Sequence, residues 1–380
     1  MEALLTEDQR MMRAMVREFA EEKIRPIAAD IDREHRFPLE TVKQMAELGL
    51  MGMTIPEEYE GSGGDALSYI IAVEELARVC ATHGVILSVH MSVCAYPIYQ
   101  MGTEEQKQKY LPDLASGRKI GGFCLTEPGA GSDAAAQKTV AVKKGDKYII
   151  NGSKIFITNG GYADTFIVVA LTDPAKGIHG GCSAFIVEKS FPGFEVGQTE
   201  NKMGICASST VELNFRDMEV PAENLIGGEG NGFKVAMKAL DGGRISIAAQ
   251  ALGIAQGALE AAIAYSKERV QFGKPICKQQ GIQWMLAEMA TRTMAARGLV
   301  YRAANLKEIH APYGDAGAMA KLFAGQNAVW VTNQALQIHG GIGYTKAFPV
   351  ERYYRDAKIT EIYEGTKEIQ RLVIARNLLK

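Results

Sequence analysis

The feature that most restricts the fold of this chain is a change of texture in its middle. Between residues 119 and 224, short runs rich in β-branched and aromatic side chains (148–150, 153–157, 166–171, 183–187 and 210–215) alternate with glycine-bearing links. Such side chains suit a pleated, half-buried surface, so this stretch reads as a β-barrel or sandwich. Asn151-Gly152 separates the first two runs, and that dipeptide is the strongest short hairpin signal a sequence offers. On either side the spacing is helical. Met11, Met12, Met15, Val16 and Phe19 share one face, and Ile70, Ile71, Val73, Leu76 and Ala77 another. Pro26, Pro38, Pro56 and the turn Gly61-Ser62-Gly63-Gly64 punctuate this part. Beyond the loop at 227–232, alanine-rich helical runs over 233–268, 278–309 and 315–340 predict a bundle. The expected organisation is an N-terminal all-α domain at 1–118, a middle β-barrel domain at 119–226 and a C-terminal helical bundle at 227–380.

Composition narrows the function classes. With 42 basic against 44 acidic residues the formal charge is −2, which argues against a polyanion binder, so any phosphate recognition is local and no nucleic-acid partner is expected. Cysteines 80, 94, 124, 182, 206 and 277 are scattered, the usage of a reduced compartment. Histidines 35, 83, 90, 179, 310 and 339 show no metal-ligand spacing, so no metal is expected. No apolar run approaches membrane length, and Glu2, Glu7 and Asp8 sit where a leader would be acid-poor. A cytoplasmic protein is expected, or a mitochondrial-matrix one if a transit segment was removed.

The chemistry concentrates in the last 30 residues. Glu364 lies between Tyr363 and Gly365, just ahead of a helical run that Thr366 can cap, with Glu368 in its first turn. Apolar neighbours would raise its pKa above about 4.3, into the range of a general base, although a carboxylate here could equally cap or solvate a loop. Arg355-Asp356-Ala357, Tyr363-Glu364-Gly365-Thr366 and Ile369-Gln370-Arg371 together resemble the C-terminal signature of the acyl-CoA dehydrogenase family. The order helical, β, helical resembles that family over essentially the whole chain, most closely its short-chain, butyryl-CoA members. The resemblance implies that Glu364 is the catalytic base, with Tyr363 and Gly365 beside the substrate.

Other segments resemble the family's ligand motifs. The run 123–133 reads Phe-Cys-Leu-Thr-Glu-Pro-Gly-Ala-Gly-Ser-Asp. Taken literally its glycines fit a dinucleotide fingerprint, but residues 139–142 turn strand-like where a Rossmann helix should follow. The run is instead similar to the family's flavin-lining motif, which implies FAD as cofactor, with Phe123, Leu125, Thr126, Gly131 and Ser132 against it and Ser132 also near the CoA chain. Phe156-Ile157-Thr158 resembles the segment packed on the flavin ring, with Thr158 near N5; many members carry tryptophan where Phe156 stands, so a packing role is expected. Thr366 and Glu368 are assigned to the cofactor as well. Arg269, Gln271, Phe272 and Gln280, with Gln337, Gly340 and Gly341, match positions that reach FAD held by a neighbouring subunit, implying a homo-oligomer, by family a tetramer. Asp241 and Arg244 match the contacts to acyl-CoA. Gly243 occupies the position where some branched-chain and long-chain members place their base, which favours Glu364. His339 stands where many relatives have leucine.

The implied reaction is dehydrogenation of a short-chain acyl-CoA to trans-2-enoyl-CoA, Glu364 taking the α-proton and FAD the β-hydride, with electrons passed to an electron-transfer flavoprotein. No arginine lies between residues 79 and 100, where glutaryl-CoA relatives carry one, which disfavours a dicarboxylate. An enoyl-CoA reductase running in reverse, an acyl-CoA oxidase and an idle flavin- or acyl-CoA-binding scaffold are the alternatives.

Overall fold

The computed structural model describes residues 5–379. Its N-terminal part is helical, with long segments at Glu7–Phe19, Ala66–Val79, Ala81–Val89 and Glu104–Ala115. Two of these begin with capping boxes, Thr6 with Gln9 and Thr103 with Gln106, each satisfying backbone donors that a helix start leaves bare. Gln106 has a second role: its Nε2 donates to the carbonyls of Glu223 (2.6 Å) and Leu225 (2.9 Å), tying its helix to the end of the sheet.

The middle part is one eight-stranded sheet. Its strands are β1 (Gly121–Cys124), β2 (Val140–Lys144), β3 (Lys147–Thr158), β4 (Thr165–Leu171), β5 (Cys182–Glu188), β6 (Phe194–Thr199), β7 (Thr210–Pro221) and β8 (Leu225–Ile226). The order is β6-β7-β3-β2-β4-β5-β8, with β1 added parallel to β4. The β2–β4 contact is a single pair, Val140 with Leu171, so the sheet is two ladders joined at one point. Their apolar faces meet: Tyr148 lies 4.9 Å from Phe185, and Phe166 5.1 Å from Phe194, between ring centroids. This is the layered β core that the middle texture predicted.

The expected hairpin at Asn151-Gly152 is not formed. Both residues lie inside the twelve-residue strand β3, at an irregularity where the pairing with β7 shifts between Ile150 and Gly152. Glycine is required there for space, because a Cβ would stand 2.4 Å from Thr139 Oγ1. The two-residue turn belongs instead to Gly145-Asp146, which joins β2 to β3 with Lys144 opposite Lys147. Both dipeptides carry turn chemistry, and only the register of the partner strand separates them.

The C-terminal part comprises Gly232–Glu268, Gln280–Glu308, Gly314–His339, Val350–Ile359 and Lys367–Leu378. Gly232–Glu268 runs through the centre of the molecule. It is long and apolar enough to cross a membrane by length and composition, which amends the sequence reading, yet 72% of its most apolar window is buried inside the fold. Buried charges stitch the bundle to the N-terminal helices: Arg78, paired with Glu75 on its own helix (3.0 Å), reaches Glu260 of the central helix (2.9 Å), and Arg297 of Gln280–Glu308 reaches Glu74 (2.6 Å). All six cysteines are free thiols, and no metal-ligand cluster occurs among the described residues.

Candidate active site

Glu364 sits where three helices converge. Val350–Ile359 ends just before it and Lys367–Leu378 begins just after it, with Thr366 capping the latter by accepting from Ile369 N at 3.3 Å. Glu364 and Gly365 turn between them with φ of 51° and 91°, and left-handed backbone at a glutamate costs about 1–2 kcal/mol. That turn aims the carboxylate at the central helix. A Cβ built on Gly243 would lie 2.0 Å from Glu364 Oε2, so the carboxylate occupies space that any other residue at 243 would take.

The carboxylate is short of partners. Oε2 is buried and accepts no hydrogen bond. Burial pushes the Glu364 carboxyl up to about 7, against the pull of the Lys321 and Arg244 charges. Arg244 is buried and pairs at 2.5 Å with the half-buried Asp241, so these two form a sheltered pair rather than a surface one. Tyr363 packs alongside, its hydroxyl hydrogen-bonded to Gln250, whose Nε2 donates to Ala81 O at 2.9 Å.

A second group of the sequence-predicted residues lies along the end of β3. Ile155 N donates to Thr126 O at 2.9 Å, which lays the segment 123–126 beside Phe156-Ile157-Thr158. Ile157 is buried, but Phe156, at φ 59°, leaves 59% of its surface exposed beside the part-exposed Thr126 and Thr158. An open aromatic wall flanked by hydroxyls fits a flat, polar-edged ring system such as a flavin. Gly131 and Ser132 are exposed, and nothing lies within 4 Å of a Cβ built on Gly131, which leaves that loop free to receive a ligand.

The remaining predicted positions lie elsewhere. Arg269, Gln271 and Phe272 belong to a small two-stranded spur whose turn, Phe272-Gly273, has φ of 54° and 76° and exposes 93% of Phe272. Gln280, Gln337, Gly340 and Gly341 are exposed as well. The spur packs against Gly232–Glu268. Thr366 serves the helix cap, and Glu368, exposed, pairs with Arg371 at 3.6 Å. His339 stacks on Tyr265 at 4.3 Å and donates from Nδ1 to Ala335 O (2.8 Å), so it acts as a buried aromatic.

Several residues escaped the sequence reading. Lys154 is fully buried and hydrogen-bonds Glu127 (2.8 Å), Gln137 (3.0 Å) and Leu125 O (3.0 Å), locking the 125–139 loop onto β3. Lys321 and Gln370 both donate to Gly365 O, at 2.6 and 2.9 Å. Asn159 donates to Ile86 O and Gly121 O, each at 3.2 Å, and Ser88 and Ser246 meet at 2.7 Å below Gly243. A charged residue in an apolar run was the one available signal for Lys154 and Lys321. The Arg355-Asp356 pair of the signature proves to be an anchor, Arg355 gripping Asp32 (2.7 Å) and Asp356 accepting from Ile205 N (2.5 Å).

A carboxylate buried without a partner at Oε2 suits proton transfer, and an exposed aromatic flanked by hydroxyls on the sheet suits a flat ring ligand. Profiles of the acyl-CoA dehydrogenase N-terminal, middle and C-terminal domains match residues 6–118, 122–218 and 230–379. The chain belongs to the acyl-CoA dehydrogenase family, FAD-dependent oxidoreductases acting on the CH–CH bond of acyl-CoA. It is 60% identical to a short-chain specific acyl-CoA dehydrogenase of Clostridium acetobutylicum, over 99% of each chain. It is 54% identical to an NADH-linked acryloyl-CoA reductase of Anaerotignum propionicum, over 100% of this chain and 96% of that one. Butyryl-CoA dehydrogenase from Megasphaera elsdenii superposes with a TM-score of 0.97 at 51% identity, over 99% of each chain. A chain from the structural study of the Acidaminococcus fermentans electron transferring flavoprotein superposes with a TM-score of 0.98 at 57% identity, also over 99% of each.

Proposed function

We propose that this protein dehydrogenates a short-chain acyl-CoA, of which butyryl-CoA is the type, to the trans-2-enoyl-CoA, with Glu364 as the base. The observation that carries this reading is the Glu364 carboxylate itself: orphaned at Oε2, pressed against Gly243 and titrating near neutrality through burial. A carboxylate in that state accepts the α-proton and holds it as a carboxylic acid once the double bond has formed. Asp241 and Arg244 orient the thioester arm, Tyr363 and Gly365 border it, and Ser132 meets the CoA chain. The backbone N–H of Glu364 makes no hydrogen bond to a described residue and is the donor for the thioester oxygen, where negative charge develops. Packing around Tyr363 and the central helix excludes water from the proton path.

Phe156, Ile157 and Thr158, with Phe123, Leu125, Thr126, Gly131 and Ser132, would hold FAD, which when bound supplies the acceptor for the β-hydride. Arg269, Gln271, Phe272, Gln280, Gln337, Gly340 and Gly341 would serve a second copy's cofactor, a reading supported by their exposure, which in Phe272 reaches 93%. A homo-oligomer, by family a tetramer, follows from that reading, as do an electron-transfer flavoprotein as redox partner and a reduced, cytoplasmic setting.

Anaerobic titration of the purified protein with butyryl-CoA tests the proposal. Wild type is expected to bleach its flavin absorbance, and Glu364→Gln to bind FAD and stay yellow. Rapid bleaching in Glu364→Gln would refute the base, and a rate maximum beyond about eight carbons would refute the short-chain assignment. The likeness to an acryloyl-CoA reductase favours one second reading, net reduction of an enoyl-CoA, which the ratio of forward to reverse rates decides.

A further inference from the structure

Lys321, on Gly314–His339, is 1% exposed and has been given no role. Its ammonium can donate three hydrogen bonds, yet among the described residues it makes one, to Gly365 O at 2.6 Å, and pairs with no carboxylate. A buried lysine without an ion pair is rare, because desolvating an isolated ammonium is costly. The acidic groups near it are Glu361, Glu364 and Glu368. Glu361 is already bound by Lys358 (2.6 Å) and Lys367 (3.3 Å), and Glu368 by Arg371 (3.6 Å). Glu364 alone among them has no partner of its own, so the Lys321 charge is balanced through space by the carboxylate proposed as base.

The carbonyl that Lys321 holds ends the peptide unit leaving Gly365, directly after the left-handed Glu364. Gln370 Nε2 donates to the same oxygen at 2.9 Å and to Glu364 O at 3.3 Å. One turn is thus gripped by a charged donor and a neutral one. We propose that Lys321 is a positioning residue for deprotonation: it pins the turn that aims Glu364 at Gly243 and, by giving its hydrogen bond to the backbone instead of the carboxylate, favours the ionised form of that carboxylate while leaving it unpartnered. This inference rests on the reading of Glu364 as base.

The neighbours fix the sign. Facing Glu364 are Lys321 from Gly314–His339, Arg244 and Asp241 from the central helix, Tyr69 from Ala66–Val79, and Tyr363 on its own segment. Arg244 is compensated by Asp241 at 2.5 Å, which leaves Lys321 the uncompensated cation. Removing its charge makes ionisation of Glu364 harder, so the acidic limb of activity moves to higher pH. Lys321→Gln keeps a donor for Gly365 O without the charge, Lys321→Met removes both, Lys321→Arg keeps the charge, and Gln370→Leu removes only the neutral grip.

The test is the pH dependence of butyryl-CoA-driven flavin reduction in the holoenzyme, followed anaerobically in rapid mixing. Infrared titration of the Glu364 carboxyl band, taken as the difference between each protein and its Glu364→Gln form, gives a readout free of turnover. The expected result is a limb and band displaced upward by about one pH unit in Lys321→Gln and Lys321→Met, as for loss of an opposite charge about 4–6 Å away. Lys321→Arg restores the wild-type position, and Gln370→Leu slows reduction with the limb unmoved. A limb unmoved in Lys321→Gln overturns the proposal, as does an equal displacement in Gln370→Leu; if Lys321→Met does not fold, Lys321→Gln decides alone. Failure of the underlying reading looks different: there Glu364→Gln itself would reduce its flavin at the wild-type rate.

Discussion

Two buried lysines lie close to a glutamate in this molecule, Lys154 beside Glu127 and Lys321 beside the Glu364 turn, and the two couples are built in opposite ways. Glu127 is saturated: Lys154 Nζ and Thr139 N donate to Oε1 at 2.8 and 3.1 Å, and Lys138 N to Oε2 at 2.6 Å. Although burial works to raise it, the Lys154 charge and these donors hold its carboxyl below the usual range. Glu364 is equally sheltered at Oε2, but its lysine bonds to the backbone next door, and burial prevails. The difference is one of hydrogen-bond supply. A carboxylate given every partner becomes a rivet; one denied them keeps the free lone pair that proton transfer requires.

The largest expected effect breaks the comparison at its reactive end. Glu364→Gln should slow flavin reduction by a factor of about 10² to 10⁴ while FAD content and melting temperature hold, the range for loss of a positioned base. Next comes the structural end. Lys154→Met leaves Glu127 charged and buried and should cost about 3–5 kcal/mol in denaturant unfolding, whereas the Glu127→Leu/Lys154→Met double variant should regain most of it. A stable Lys154→Met would mean that the two couples are alike. Gly243→Ala should push the carboxylate aside and lower the reduction rate by about 10²-fold, as for a misplacement of about 1 Å, with the fold intact; an unchanged rate would show that Glu364 works from another position.

The smallest effect concerns pH. Activity should rise as pH passes upward through about 7, where Glu364 ionises. Stability should follow a separate curve. Burial holds His83 down to about 3 and His90 down to about 4, both below the ordinary 6.5, so the unfolded chain binds the extra protons. Their contribution is therefore complete above about 6.5 and fades as pH falls, toward about 4 for His90 and about 3 for His83, by at most about 1.4 kcal/mol per pH unit for each imidazole. A thermal-melt series in which His90→Gln flattens that slope and leaves the activity limb in place would separate the two curves; a limb that moved with the melts would merge them.

The broad architecture was legible in the chain because it rests on periodicity and composition. The helices at Gly232–Glu268, Gln280–Glu308 and Gly314–His339 lie within a few residues of the apolar runs that announced them, and Thr366 caps the last helix as its type suggests. Asn151-Gly152 misled because a turn-forming dipeptide also suits a strand irregularity, and pairing between distant strands decides which it becomes. The carboxylate of the site was legible from its motif and neighbours. Its supporting shell was not: Lys154, Lys321, Gln370 and Asn159 act through contacts with residues far away in sequence or through backbone carbonyls, and a carbonyl leaves no trace in the letters.

Asn159 follows directly on the aromatic wall, and its single amide group reaches one carbonyl on a helix and another on β1. Those two acceptors belong to different layers, the helix 81–89 that packs on the central helix and the sheet that carries Phe156. A short, stiff amide shared between them behaves as a feeler gauge, since sliding either layer stretches one bond before the other. One side chain thereby holds the two layers in register, and Asn159→Leu would free the sheet that carries the exposed Phe156 to slide against the helices.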